Sequence, residues 1–137
     1  MLEYQITAKR IDPHGSLARC KEAELVIDTD LNGRADAFNP AELLLAALAA
    51  CMLKGIERMV PILRFSLRGV EVRLDGIRQD TPPKMESIRY EIVVDTDESD
   101  HRLELLHDNV KKFGTVFNTV APGTRLAGAL RRKENSV

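Results

Sequence analysis

The sequence predicts an α+β fold with its elements in the order βββ-α-ββ-α-β. Three observations predict it. From Ala41 to Leu53 every residue except Glu42 is apolar, so a helix there has no wet face through its first turns. Around that run, several segments alternate apolar and polar residues with the period of half-buried strands. Farther on, Leu103, Leu106, Val110 and Phe113 recur at i, i+3, i+7 and i+10, the stripe of an amphipathic helix. An antiparallel sheet with a buried central helix accommodates all three.

In chain order, Leu2, Tyr4, Ile6 and Ala8 share one strand face and Glu3, Gln5, Thr7 and Lys9 the other, so the first strand is expected to be half buried. Asp12-Pro13-His14-Gly15 is a turn, Ser16 to Cys20 resumes extended structure, and Ala23, Leu25 and Ile27 complete a three-stranded meander. A polar connection from Asp28 to Phe38 leads into the central helix. Asn39 can cap its first amides, Pro40 suits the first helical position, and Glu42 sets a negative charge where the helix dipole favours one. The apolar run is too short for a bilayer, which needs roughly 20 residues, and Lys54, Glu57 and Arg58 follow it directly. It is read as a core helix enclosed on nearly all sides. One sheet and one amphipathic helix cannot cover so many faces. A second copy is expected to bury the remainder, giving a homodimer with an interface above about 2,000 Å². Pro61 marks the end of the helix or a kink. Val70, Val72 and Leu74 then pair across the 79–84 loop with Ile88, Tyr90, Ile92 and Val94 as an antiparallel hairpin. Ser99 or Asp100 caps the amphipathic helix, and Gly114 reads as its stop, a position where left-handed glycine is common. Val116-Phe117-Asn118-Thr119 reads as a turn, Leu126 to Leu130 as a last short strand, and the final seven residues as a solvated tail.

A chain of 137 residues is expected to form one domain, 1–137. With 20 basic against 21 acidic residues it carries no electrostatic footprint for nucleic acid or an anionic membrane. The N-terminus lacks the pattern of a signal peptide and no stretch could span a membrane as a helix, so a cytoplasmic location is expected. The two cysteines, Cys20 and Cys51, lack CxxC spacing and are read as free thiols.

The side chains that could carry chemistry are few. Asp28, Asp30, Asn32, Gly33 and Asp36 imitate the opening of a calcium loop, but the twelfth position, which should supply a bidentate Glu, is Asn39. A polar turn is the expected reading, with neither metal nor cofactor. Cys51 is the candidate reactive thiol. A nucleophilic cysteine needs a partly exposed, electropositive setting, which Lys54 at i+3 and Arg58 at i+7 could supply; the alternative is a small packing residue. Glu42 is a candidate acid or, alternatively, only a first-turn charge. Cys20 is read as structural, and His14, His101 and His107 as surface residues.

The run from Pro40 to Cys51, P-x-E-L-L-x-A-A-L-x-A-C, resembles the signature of the OsmC/Ohr family, the osmotically induced and organic-hydroperoxide-resistance proteins of stress responses. The order of elements is similar to the family's throughout, and Val116-Phe117-Asn118-Thr119 resembles its second motif, C-P-V-x-N-T. The resemblance implies an intertwined homodimer with sites at the subunit interface, where a helix cysteine attacks a peroxide and a second cysteine resolves the product. On this alignment Cys51 is the peroxidatic thiol, but Gly114 stands at the resolving cysteine and Thr115 at its proline. Ala41 stands where the peroxidase branch has a glutamate, and that branch's arginine has no counterpart in the turn at 12–15. Three functions follow as expectations. One is a thiol peroxidase that reduces a small organic hydroperoxide through Cys51 at the expense of an external thiol. Another is a non-catalytic dimer binding an apolar small molecule, and the third is a structural dimer.

Overall fold

Alternation in the first forty residues produces a small sheet. In the computed structural model, which describes residues 1–135, strands β1 (Thr7–Asp12), β2 (Gly15–Cys20) and β3 (Ala23–Ile27) pair antiparallel in chain order. The β2–β3 connection places Lys21 at φ 57, the positive φ that a two-residue hairpin turn matching the strand twist requires. The first strand begins at Thr7 rather than Leu2, and its expected half-burial is absent within the chain. Tyr4 and Ile6 are 79% and 62% exposed, and every residue of β1 is exposed. By its internal contacts the chain divides into two compact units, 1–44 and 45–137, and every buried hydrophobic side chain among the described residues belongs to the second.

Helix α1 (Pro40–Leu63) begins at the end of the first unit and continues into the second. A reciprocal cap opens it: the Glu42 amide donates to Asn39 Oδ1 at 2.8 Å and the Asn39 amide to Glu42 Oε1 at 3.0 Å. Pro61 does not end the helix: it lies in the last turn, where it removes a single amide bond and two helical residues still follow it. Closure comes three residues later. Arg64 adopts φ 49, its amide reaches the Pro61 carbonyl at 3.4 Å, and the Phe65 amide reaches the Val60 carbonyl at 2.9 Å. This is the double bond of a Schellman ending, with arginine where glycine is usual. Arg102 adds its guanidinium to the Leu63 carbonyl.

The second unit is built on β4 (Gly69–Gln79), β5 (Lys84–Asp95), α2 (Asp100–Phe113), α3 (Thr115–Val120) and β6 (Arg125–Arg132). The sheet order is β4-β5-β6. β5 pairs antiparallel with β4, as the hairpin requires, and parallel with β6, because the helical connection through α2 and α3 returns the chain to the same end. Ile88, Tyr90, Ile92 and Val94 of β5 face one way and are no more than 5% exposed. Against them pack Leu48, Met52, Ile56 and Met59 of α1 and Leu103, Leu106 and Val110 of α2. β6 crosses Tyr90 at Gly128, where an added Cβ would stand 2.2 Å from the Tyr90 carbonyl oxygen and 2.5 Å from its ring, so only glycine lets the strands pair there. Within one chain α1 is enclosed only in part, and the enclosure expected on nearly all its sides includes a second copy. Its buried positions form one stripe, while Leu44 and Leu53 are 36% and 37% exposed and Ala47 and Ala50 are exposed as well. Among the described residues no helix is long and apolar enough to cross a membrane.

Candidate functional site

Cys51 sits midway along α1, one residue before buried Met52, and is itself half-buried. Its position on the edge of the buried stripe turns the sulfur toward the junction of α2 and α3. That junction is a single residue, Gly114, which is buried and extended at φ −76, ψ 117. The α2 helix does stop there, but the left-handed glycine ending is absent. Its stop is made from beyond, by the Asn118 side-chain amide on the Lys112 carbonyl at 3.1 Å. The segment read as a turn is the short helix α3, with Thr119 Oγ1 bonded to the Thr115 carbonyl at 2.8 Å and Val116, Phe117 and Val120 packed on the core.

Space rather than conformation therefore selects glycine at 114. A Cβ there would lie 2.9 Å from Cys51 Sγ, 3.0 Å from Phe117 Cβ and 3.0 Å from the Val110 carbonyl oxygen. The first distance matches the separation of about 3 Å that a 2.05 Å S–S bond sets between one sulfur and the opposite Cβ. The position aligned with the resolving cysteine thus faces Cys51 in space but carries no sulfur. Both cysteines are free thiols.

Of the two cations expected beside Cys51, Arg58 lies with its guanidinium carbon 5.6 Å from the centre of the Phe113 ring, and Lys54 is exposed. Glu42 is engaged in the helix cap, with its side chain on the Asn39 amide. Cys20 ends β2 opposite Ala23.

His107 corrects its reading as a surface residue. It is half-buried, its Nε2 lies 2.6 Å from the Tyr90 hydroxyl, and the two rings meet edge-on at 5.7 Å. Tyr90 also meets Phe117 edge-on at 6.1 Å, so the pair adjoins the residue packed against Gly114. Burial pushes the Tyr90 phenol up to about 12 and the His107 imidazole below its ordinary value, with Lys111 adding to the latter. Both groups are therefore neutral, and the tautomer of His107 sets which of them donates. Nothing local in the sequence marks this pair, whose members are 17 residues apart and meet only through the fold. His101 is exposed, as expected.

The carboxylates of the calcium-like loop are turned inward to their own chain. Buried Asp28 accepts from the Asp30 and Arg34 amides, each at 3.0 Å, and Asp30 accepts from the Asn32 amide at 2.8 Å. The Asn32 amide and His14, 2.7 Å away, hold the Asp30 carboxyl below its usual range. Arg34 grips Asp36 through two bonds at 2.6 and 2.9 Å and lies over Gly15, where a Cβ would stand 2.5 Å from its guanidinium. Among the described residues no three His, Cys, Asp or Glu side chains are grouped as a metal ion would need.

A sequence profile described as OsmC-like protein matches residues 33–127. No curated protein matches the chain significantly. The fold is that of an OsmC-like protein from Mycoplasma pneumoniae, at 20% identity and TM-score 0.89 over 97% of this chain and 99% of that one. An organic hydroperoxide resistance protein from Legionella pneumophila aligns at 18% identity and TM-score 0.69, covering 98% of this chain and all (100%) of that one. The organic hydroperoxide resistance protein OhrB of Bacillus subtilis aligns at 15% identity and TM-score 0.67, over 94% and 98% of the two chains.

Proposed function

The chain belongs to the OsmC-like protein family, and from that premise we propose that it is a stress-response thiol peroxidase that reduces small organic hydroperoxides through Cys51. One observation carries the reading: Cys51 Sγ stands where it would bond a sulfur on residue 114, and residue 114 is glycine. The chemistry then divides between this chain and an outside reductant. The Cys51 thiolate attacks the peroxide, the O–O bond breaks, an alcohol leaves after taking up a proton, and the sulfur becomes a sulfenic acid. With no sulfur at 114, a second molecule must supply the thiol that displaces water and forms a mixed disulfide, and a further thiol returns Cys51 to its reduced state. The working unit is a homodimer of single-domain chains, supported by the exposed apolar residues of 1–6 and of α1. Two free thiols fit a reducing compartment, so the proposed location is the cytoplasm.

Intact mass spectrometry under a slight excess of cumene hydroperoxide, without reductant, tests this. Cys51 should gain one oxygen and then a second, with no loss of two hydrogens. A Cys20–Cys51 disulfide would mean that the resolving thiol has moved, and an unmodified Cys51 after prolonged exposure would remove the peroxidase reading. The second reading, an apolar small-molecule binder, draws on exposed Leu44 and Leu53 on the helix that bears Cys51. It is the one favoured by the last of those outcomes.

A further inference from the structure

Next to the thiol lies a group of side chains with no part in peroxide cleavage. Phe113, the last residue of α2, is 50% exposed. Two cations flank its ring, the Arg58 guanidinium carbon at 5.6 Å and Lys112 Nζ at 5.2 Å from the centre. Arg58 projects from α1 two turns beyond Cys51, and Phe113 directly precedes the glycine against which the Cys51 sulfur rests. Among the described residues neither cation has a carboxylate partner. Asp108 is taken by Lys111 at 3.8 Å, and Glu57 leaves α1 about 100° round the axis from Arg58. An aromatic ring helps to hold each cation in place at an exposed site while leaving its outward N–H donors free. Two unneutralised charges held on Phe113, one residue from the glycine that meets the thiol, raise the local concentration of anions and their rate of encounter.

We propose that Arg58, Phe113 and Lys112 form the docking point for the reductant of Cys51, and that this reductant is a small thiol bearing carboxylates. The proposal rests on the peroxidase reading for its chemistry. The carboxylates lie on Arg58 and Lys112, and the thiol R–SH attacks the Cys51 sulfenic acid, giving Cys51–S–S–R and water. A second R–SH then attacks the mixed disulfide, R–S–S–R leaves, and the Cys51 thiol is restored.

Two ratios of rates test it in a Cys20→Ser background. In the first, peroxide-oxidised protein reacts with mercaptosuccinate, a dicarboxylate, or with neutral 2-mercaptoethanol, each rate corrected for thiolate fraction. In the second, reduced protein reacts with the dianionic aromatic disulfide dithiobis(nitrobenzoate) or with neutral dithiodipyridine, a step that needs no peroxide. At low salt the anionic reagent should lead by about 5–30-fold in each arm, and the lead should fall to within about twofold in Arg58→Gln/Lys112→Gln and in 0.5 M NaCl. A ratio taken within one protein cancels any general loss of reactivity or fold. If peroxide leaves Cys51 unchanged, the peroxidase reading fails while the disulfide arm still reports on the docking point. A ratio in the disulfide arm that is the same in the wild type and the double variant overturns the docking point, whatever becomes of the peroxidase.

Discussion

Between Cys51 and Gly114 a single atom decides what the site can hold. A methyl group at 114 would press on the Cys51 sulfur, the Phe117 Cβ and the Val110 carbonyl oxygen at once, all within 3.0 Å. Gly114→Ala should therefore destabilise the chain by about 1–3 kcal/mol, the usual range for overpacking. Cys51→Ala removes one of the three neighbours, so the double variant should recover part of that loss. Urea unfolding of the four proteins measures the coupling, and an additive cycle would mean that the sulfur does not rest on Gly114. Tyr90 and His107 give a second residue-level expectation. Because burial holds the folded-state value of His107 below the ordinary 6.5, the unfolded chain takes up its proton first as pH falls. The stability due to neutral His107 is thus complete above 6.5 and is lost as pH drops through the folded-state value. Wild-type stability should fall more steeply than that of His107→Gln between about pH 7.5 and 5.5, and parallel profiles would count against the buried pair. Of these features, the sequence revealed Gly114, since aligning Val116-Phe117-Asn118-Thr119 on a known motif put it opposite Cys51. The histidine was hidden because its partner comes from another element.

Periodicity disclosed the longer elements and failed on the short ones. The apolar run of α1, the β4–β5 alternation and the α2 stripe each extend over enough residues for the pattern to repeat. The six residues of α3 complete fewer than two turns, and their helix depends on Asn118, Thr119 and the core beneath rather than on a repeat of their own. The parallel partner of β5 was equally illegible, since a strand's residues do not record the direction of its neighbour. At this scale the end of α1 yields an expectation. Arg64 holds a left-handed conformation at φ 49, which costs an L-residue roughly 1–2 kcal/mol and glycine little. Arg64→Gly should raise stability by about 1 kcal/mol, seen as a higher melting temperature. A fall would show that the Arg64 side chain contributes more than its backbone costs.

At the scale of the whole molecule, the apolar surface exceeds what one chain covers. Leu2, Tyr4 and Ile6 stand open at 83%, 79% and 62%, and α1 presents Leu44 and Leu53 outside its buried stripe. Solvated apolar area of this extent supports the proposed homodimer. Light scattering at micromolar concentration should give twice 15.3 kDa, and a stable monomer would overturn the dimer and with it any shared site. The parallel pairing of β5 with β6 has a consequence for biosynthesis. β5 supplies four of the core's buried side chains, yet its second edge stays bare until residues 125–132 leave the ribosome, some thirty residues after β5 itself. During that interval the nascent chain carries an apolar strand with open hydrogen-bonding groups, a template for pairing with its neighbours on a polysome. Local contacts allow α2 to form in the meantime, and its Leu103, Leu106 and Val110 can cover one face of that strand before its last edge is closed.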